Sequence, residues 1–446
     1  MSRTHPLKEI VKFQKKGIPA GIYSACSAND IVLEACMERA MQDSSYVLIE
    51  ATANQVNQYG GYTGMKPQDF KSFVLSIAKR VNFPADKIIL GGDHLGPLTW
   101  QSLPAKEAME EAKELIRQFV LAGFTKIHID TSMHLGDDDR SKKLEKTVIA
   151  RRGAILAKAA EEAYKELVAS NPDALHPVYV IGSEVPIPGG SQGEEDELQV
   201  TTVNDFSETV DLFKEAFLSN DLSEAWDNVI AIVVQPGVEF GDESIHEYDR
   251  NAAKELCEEL KNYPTLVFEG HSTDYQTPEA LKAMVEDGIA ILKVGPALIF
   301  ALREALFALN HIENELFQHR SDVQLSRFIE VLDEAMVKNP ANWIKHYHGS
   351  QEKIRLARKY SFSDRCRYYF PVPEVKEAIS RLMQNLKSTD IPISLISQYM
   401  PVQYYRIRKG LLSKEPESLA KDRVKNCIDQ YLYATQPVNK NEHERN

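Results

Sequence analysis

The sequence predicts a (β/α)8 barrel of the α/β class, a TIM-type barrel with a helical C-terminal extension, and three observations carry that prediction. Eight short apolar, β-branched runs recur between about residues 20 and 310, longer amphipathic stretches separate them, and polar residues finish most of the runs. The runs are GIYSACS (21–27), YVLIEAT (46–52), KIILGGDH (87–94), KIHIDTS (126–132), VYVIGSE (178–184), VIAIVVQPG (229–237), TLVFEGHS (265–272) and IAILKVG (289–295). Between them, stretches such as EEAKELIRQFVLAG and KTVIARRGAILAKAAEEAYKEL repeat apolar residues every three or four positions, the spacing of a helix with one buried face. Eight βα units are the number that closes a barrel. A doubly wound open sheet would not require eight, and no GxGxxG follows the first strand, so a nucleotide cofactor is not expected.

After about residue 311 the strand runs stop, and helical segments such as VQLSRFIEVLDEAMVKN and PEVKEAISRLMQNLK alternate with loops bearing proline and aromatic residues. Residues 1–310 are therefore expected to form the barrel and residues 311–446 a helical extension packed on it.

Composition narrows the function class. The 446 residues carry 52 basic against 65 acidic side chains, a formal charge of -13 that repels polyanions and leaves no basic stripe for nucleic acid. A sugar phosphate remains compatible, since a few local cations or free backbone N–H groups bind phosphate whatever the global charge. Cys26, Cys36, Cys257, Cys366 and Cys427 lack CxxC spacing and read as reduced thiols in a cytoplasmic protein. No run approaches the roughly 20 apolar residues of a membrane helix, and the N-terminus lacks the apolar core of a signal peptide, so no membrane association is expected.

A parallel barrel builds its active site from the C-terminal ends of its strands, so polar residues finishing an apolar run carry most of the information. Here they are Ser24 and Ser27, Glu50, Asp93 and His94, His128 and Asp130, Glu184, Gln235, Glu269 and His271, and Lys293. Converging on one mouth, they make an acidic, imidazole-bearing pocket with an embedded cation. His94 and His271 are the leading metal candidates, with Asp130 or Glu184 to complete the set, because imidazole and carboxylate together suit a divalent ion such as zinc or manganese. Against this stands hydrogen bonding within a polar barrel top.

Asp93 precedes His94 directly, and adjacent strand residues point to opposite faces unless the chain turns between them. The Gly-Gly before and Gly-Pro after the pair favour a turn, which would let Asp93 serve as general base beside the metal. Asp130 and Glu184 are the further catalytic candidates. Ser272, Thr273 and Asp274 stand near a helix start, suited either to capping or to holding phosphate. Lys293 reads either as a phosphate contact or as the partner of a barrel carboxylate. Gln235 and Glu50 complete the expected substrate pocket. Two loops stand out: NQVNQYGGYTGM (54–65) suits hydrogen bonding to a polyhydroxylated ligand or equally a tight surface loop, and IPGGSQGEEDE (187–197) suits a lid or solvated turn.

Taken together, IEATANQVNQYGGYTGM, ILGGDHLGP, SEVPIPGG, VVQPGVEF, GHSTDYQT and ILKVGPALIFALREA, followed by SFSDRCRYYF and IPISLISQYMP, resemble the GatZ/KbaZ family in collinear order over nearly the whole chain. The resemblance implies a (β/α)8-type fold and membership in tagatose-1,6-bisphosphate aldolase, which splits a ketose bisphosphate into two triose phosphates. It also implies a supporting role for this Z-type chain beside a Y-type (GatY/KbaY) catalytic subunit. The Z family is in turn similar to class II aldolases, whose pattern includes an Asp-His pair, a later Glu and two further zinc-binding histidines. Asp93 and His94 match the pair and Glu184 the glutamate. Gln235 stands near one expected His, and Glu269, with His271 two residues on, near the last, so Glu269 or His271 could serve a rearranged metal site. CSAND (26–30) stands where the family has CSAHP, and DTSMHLGDDD (130–139) lacks the Cys that often precedes its Ser-Met pair.

Three functions remain open on this reading. The first is the Z-type subunit, supporting its Y-type partner in galactitol, tagatose or amino-sugar catabolism. The second is a metal-dependent ketose or ketose-phosphate 4-epimerase or aldolase, because retro-aldol cleavage between carbons 3 and 4 erases the stereocentre that distinguishes tagatose from fructose. The third is a sugar-phosphate sensor without chemistry. The expected partners are the Y-type subunit and a sugar phosphate, with a homo-oligomer left open.

Overall fold

The computed structural model describes residues 4–183 and 198–436. Among the described residues ten strands are formed: β1 (Ile22–Ala25), β2 (Val47–Thr52), β3 (Ile88–Leu95), β4 (Lys126–Ile129), β5 (Val178–Ile181), β6 (Val229–Val234), β7 (Glu239–Phe240), β8 (Ile245–His246), β9 (Val267–Gly270) and β10 (Ile289–Val294). Eight of them close a barrel in the order β1-β10-β9-β6-β5-β4-β3-β2, with β7 and β8 pairing separately as a small antiparallel hairpin between β6 and β9. The eight barrel strands are the eight runs predicted, and every barrel pairing is parallel.

Alternation along each strand sorts side chains between two compartments. Tyr23, Ile49, Leu90, Ile127, Tyr179, Ile232, Phe268 and Leu292 point outward and join the core shared with the surrounding helices. Ile22, Leu48, Ile89, Val178, Val180, Val233, Val267 and Ile291 point inward and form a second apolar cluster inside the barrel. The N-terminal helix Pro6–Lys15 closes that cluster from below by burying Leu7 and Val11 in it. Each such side chain contributes about 1.5–3 kcal/mol of burial. His5 starts this helix, its Nδ1 accepting from the Leu7 N–H at 3.2 Å.

The residues after 310 are bound into the same core, which runs without interruption from Tyr23 to Ala434. Their last helix, Pro416–Thr435, packs against the Asp30–Met41, Pro278–Glu286 and Pro296–Phe317 helices of the barrel's outer layer. Its buried Leu419, Ala420, Val424, Cys427, Ile428 and Tyr431 recur at three- and four-residue spacing, which explains the fit. Gly21 N–H, at the entrance to β1, donates to the Thr435 carbonyl at 3.0 Å, and the Tyr431 hydroxyl donates to the Thr273 carbonyl at 2.9 Å. Among the described residues no helix is long and apolar enough to cross a membrane.

Candidate active site at the barrel mouth

The inward-facing positions change character higher in the barrel. Above the apolar cluster lie Ser24 on β1, Glu50 on β2, Lys126 on β4 and Glu269 on β9, all buried. The Lys126 ammonium sits 2.7 Å from Glu50 Oε1 and 2.7 Å from Glu269 Oε2, and Ser24 Oγ donates to Glu50 Oε1 at 2.6 Å. Gly91 makes room for this layer: a Cβ there would stand 2.7 Å from Glu50 Cγ. Burial by itself would raise the Glu269 carboxyl, but Lys126, Lys293 and His271 outweigh it and hold it well below the usual range.

The next layer is the mouth. On β3 the pairing with β4 shifts register between Gly92 and Leu95, and His94 takes a left-handed φ of 48°. This bulge lets Asp93 and His94 turn to the same compartment, as the flanking glycines suggested. Gly96 is required just beyond, because a Cβ there would lie 1.7 Å from the Asp130 carbonyl oxygen. His128 follows Lys126 by two residues on β4, and His271 follows Glu269 by two at the end of β9. The three imidazoles form a near-equilateral triangle, with ring centroids 5.0, 4.9 and 5.1 Å apart. With Asp93 they offer ligand atoms all within 4.8 Å of one another.

Each imidazole has one nitrogen fixed by a carboxylate. His94 Nδ1 is 2.8 Å from Asp130 Oδ2, His271 Nε2 is 3.0 Å from Glu269 Oε1, and His128 Nδ1 is 2.9 Å from Asp93 Oδ1. The His94 backbone N–H donates to His128 Nδ1 at 3.1 Å as well, so that ring atom lies between a backbone donor and the Asp93 carboxylate. With their protons on the carboxylate side, His94 and His271 turn lone pairs to the opposite side, and His128 Nε2 is buried with no hydrogen-bond partner. A carboxylate on one imidazole nitrogen and a free lone pair on the other is the arrangement that orients histidines around a metal.

The electrostatics favour a cation. Glu50, Asp93, Asp130 and Glu269 face Lys126 and Lys293, so with neutral imidazoles four carboxylates stand against two ammoniums, an excess of two negative charges. Burial opposes ionisation of Asp93, yet Lys293, His94 and His128 prevail and hold its carboxyl well below the ordinary value. Burial likewise pulls His94 down, but Asp93 and Asp130 leave it raised. The same two carboxylates would favour a metal ion in the proton's place. His271 is pushed down to about 3 by burial, which the Glu269 hydrogen bond only partly opposes. Although burial would raise Asp130, its bonds with His94 and Ser132 bring it to about 2. These buried Asp and His residues could hold a metal ion.

The residues expected from the sequence separate into groups. Asp93, His94, His271 and Asp130 come together at the mouth. Glu269 and Glu50 lie one layer lower, where Glu269 orients His271 and is not among the clustered ligand atoms. Lys293 is buried with its Nζ 2.9 Å from Glu50 Oε2 and 2.9 Å from Asp93 Oδ1, the barrel-carboxylate alternative, although it also lines the cavity. The Ser272–Asp274 turn is no helix start, since the following helix begins at Pro278 with Thr277 as its cap. Ser272 lines the cavity, whereas Thr273 Oγ1 donates to the Lys293 carbonyl at 2.6 Å. Asp274 caps a different helix, accepting from the Gly295 and Ala297 N–H groups at 3.0 and 2.8 Å. Gln235 shapes its own loop by accepting from the Gly237 and Val238 N–H groups at 2.9 and 3.0 Å. Glu184 and the 187–197 loop lie outside the described residues.

Sequence reasoning placed His128 at the mouth without making it a ligand. The signal was there: Lys126, His128 and Asp130 alternate with Ile127 and Ile129, so the three polar residues share the inner face. Above the cluster opens a cavity of about 1050 Å³, reached by Asp93, His94, His271 and Lys293 from below and by Arg365 and Arg367 from the C-terminal segment.

Residues 7–436 match a protein family described as D-tagatose-1,6-bisphosphate aldolase subunit GatZ/KbaZ-like. The chain is 47% identical over 431 residues to the D-tagatose-1,6-bisphosphate aldolase subunit GatZ of Salmonella agona (strain SL483), spanning 97% of this chain and 99% of that one. The same figures hold for the GatZ subunit of Salmonella heidelberg (strain SL476). A Sinorhizobium meliloti 1021 crystal structure, described as a probable tagatose 6 phosphate kinase, superposes with a TM-score of 0.84 at 45% identity, covering 93% of this chain and 100% of that one. With matches that run from end to end in both sequence and fold, the chain belongs to the D-tagatose-1,6-bisphosphate aldolase subunit GatZ/KbaZ-like family.

Proposed function

We propose that this chain serves as the Z-type subunit of a D-tagatose-1,6-bisphosphate aldolase, working beside a Y-type catalytic subunit, and that its barrel mouth binds a ketose phosphate with a divalent metal ion. The end-to-end relation to subunits of that name carries the first part of the reading. The buried triangle of His94, His128 and His271 with Asp93 supports the second. Three imidazole nitrogens suit a zinc- or manganese-like ion with the Asp93 carboxylate beside it, and the local excess of two negative charges matches its charge. Such an ion would supply Lewis acidity toward a ketone oxygen.

The protein's own groups then have distinct tasks. Asp130 and Glu269 fix the orientation of His94 and His271. Lys293 keeps Asp93 ionised and so able to accept a proton from a sugar hydroxyl or carbon. The closed apolar floor keeps water from reaching the cluster from below.

A second reading has the chain act alone as a ketose or ketose-phosphate 4-epimerase or aldolase. It is favoured by the oriented carboxylate–histidine pairs, an outlay of buried charge that a merely supporting barrel would not require. Cleavage between carbons 3 and 4 and re-addition to the opposite face would interconvert the tagatose and fructose configurations, with Asp93 taking and returning the hydroxyl proton.

The test is to incubate the purified chain with tagatose 1,6-bisphosphate and zinc or manganese, with and without a Y-type subunit, following all carbon products by NMR against a chelated control. A parallel arm with tagatose 6-phosphate and ATP covers kinase chemistry. Higher activity or a longer half-life of the Y-type subunit supports the first reading, and no gain in either defeats it. Metal-dependent triose phosphates or the fructose epimer from the chain alone establish the second reading. Asp130→Asn, which removes the anchor of His94, is expected to weaken metal binding by about 10- to 100-fold in a competition titration.

A further inference from the structure

We propose that Arg365 and Arg367, from the segment SFSDRCRYYF outside the barrel sequence, form the seat for the phosphate of the sugar-phosphate ligand. This rests on the reading of the mouth as a ketose-phosphate site and adds the residues that would select the phosphorylated sugar.

The segment is arranged so that its one acidic residue is already engaged. Asp364, in the left-handed region at φ 45°, accepts from Arg303 Nε at 2.9 Å, both partners being buried. Arg303 stands on the Pro296–Phe317 helix that follows β10, with its guanidinium 4.1 Å from the Phe300 ring centre, so this pair pins the segment to the barrel. The two neighbouring guanidiniums make their direct hydrogen bonds to neutral groups, while the Asp242, Asp274 and Asp364 carboxylates act on them from a longer distance. Arg365 Nη1 donates to the Asn342 carbonyl at 3.1 Å, and its Nε has no hydrogen-bond partner although the residue is only 6% exposed. Arg367 donates to the Ser363 and Asp364 carbonyls and, through Nη2, to the Tyr368 hydroxyl at 3.0 Å. Both residues line the cavity above the imidazole cluster, and so does His346, whose buried Nδ1 is also unpartnered.

Cations held away from water with no carboxylate hydrogen-bonded to them are costly, and an anion delivered by a ligand lowers that cost. Guanidinium forks match the oxygens of a phosphate ester. The helix starts that often hold phosphate in such barrels are filled here. The Asp274 carboxylate occupies the start of the Pro296–Phe317 helix, and Asn29 Oδ1 caps the Asp30–Met41 helix by accepting from the Val32 N–H at 3.2 Å. A phosphate in this cavity therefore has side-chain cations to meet rather than open backbone N–H groups. A sugar phosphate held at the arginines has its carbon chain in the same cavity as Asp93, His94 and His271.

Calorimetric titration of the full chain tests this with four probes: inorganic phosphate, tagatose 6-phosphate, unphosphorylated tagatose and galacturonate. The wild type should prefer tagatose 6-phosphate to both the neutral sugar and the sugar carboxylate. Arg365→Gln and Arg367→Gln should each weaken tagatose 6-phosphate and inorganic phosphate by about 10- to 100-fold, leave tagatose unchanged, and Arg365→Lys should fall between. Equal loss for tagatose and its phosphate, no loss in either variant, no phosphate preference in the wild type, or tighter galacturonate binding would each overturn the proposal. Zinc uptake, read separately, should persist in the arginine variants and fail in His94→Ala. Failure of the metal reading is thereby distinguished from failure of this one.

Discussion

The two ends of the barrel interior are built by the same strands from opposite chemistry. On β1, Ile22 lies below Ser24; on β2, Leu48 below Glu50; on β9, Val267 below Glu269; on β10, Ile291 below Lys293. One step of two residues turns a hydrocarbon floor into a network of buried charge. The lower end needs only volume, since apolar side chains there stabilise by leaving water. The upper end is held by charge pairing, in which a buried group is tolerable only while its partner stays. Strands β5 and β6 contribute Val178, Val180 and Val233 to the inner cluster, so the described charged groups gather on the remaining strands, and the imidazole cluster spans the mouth from β3 and β4 to β9.

The sharpest way to break this contrast is Lys126→Met, which keeps the length of the side chain but leaves Glu50 and Glu269 without the cation between them. The expected loss of folding stability, read by urea denaturation, is about 3–5 kcal/mol. A variant as stable as the wild type would mean that the upper network carries no interdependence. A smaller effect should come from Asp274. Burial, which its two backbone N–H partners only partly oppose, raises its carboxyl to about 6 from an ordinary 3.8. A raised folded-state value gives stability that is complete below about pH 3.8 and lost as pH rises to about 6. Urea midpoints measured across that window should therefore fall more for the wild type than for Asp274→Asn, whose amide oxygen can still cap the helix. Parallel profiles would remove Asp274 from the account. The smallest change is expected below, where Ile291→Val removes one methylene from the floor and should cost about 0.5–1.5 kcal/mol. A loss as large as that of Lys126→Met would erase the distinction between the two ends.

Most of the barrel was legible because β-branched runs and their polar endings are local signals. The turning of Asp93 and His94 to one side was legible too, from the glycines on either side. The partners of each imidazole were less so. His94 meets Asp130 and His128 meets Asp93 across neighbouring strands, and a register shift within β3 sets which carboxylate faces which ring. The Ser272–Asp274 turn looked like a helix start because Ser, Thr and Asp favour that place. Instead it folds inward, with Thr273 bonded to the Lys293 carbonyl and Asp274 capping the helix after β10. Nothing local in SFSDRCRYYF marks it as a wall of the mouth, because its position depends on the Arg303–Asp364 pair, which joins residues 61 apart in sequence.

The order of residues alone determined the number of barrel strands, the inner and outer faces of each, and most of the acids, imidazoles and cations delivered to the barrel top, since periodicity and strand ends are properties of short stretches. Only the folded chain decided which histidine lies against which carboxylate, which lysine is absorbed into the layer below, and that two arginines from the C-terminal segment reach the cavity. Those outcomes depend on register, closure of the barrel and long-range packing, where contacts of a few ångströms join residues that no local pattern connects.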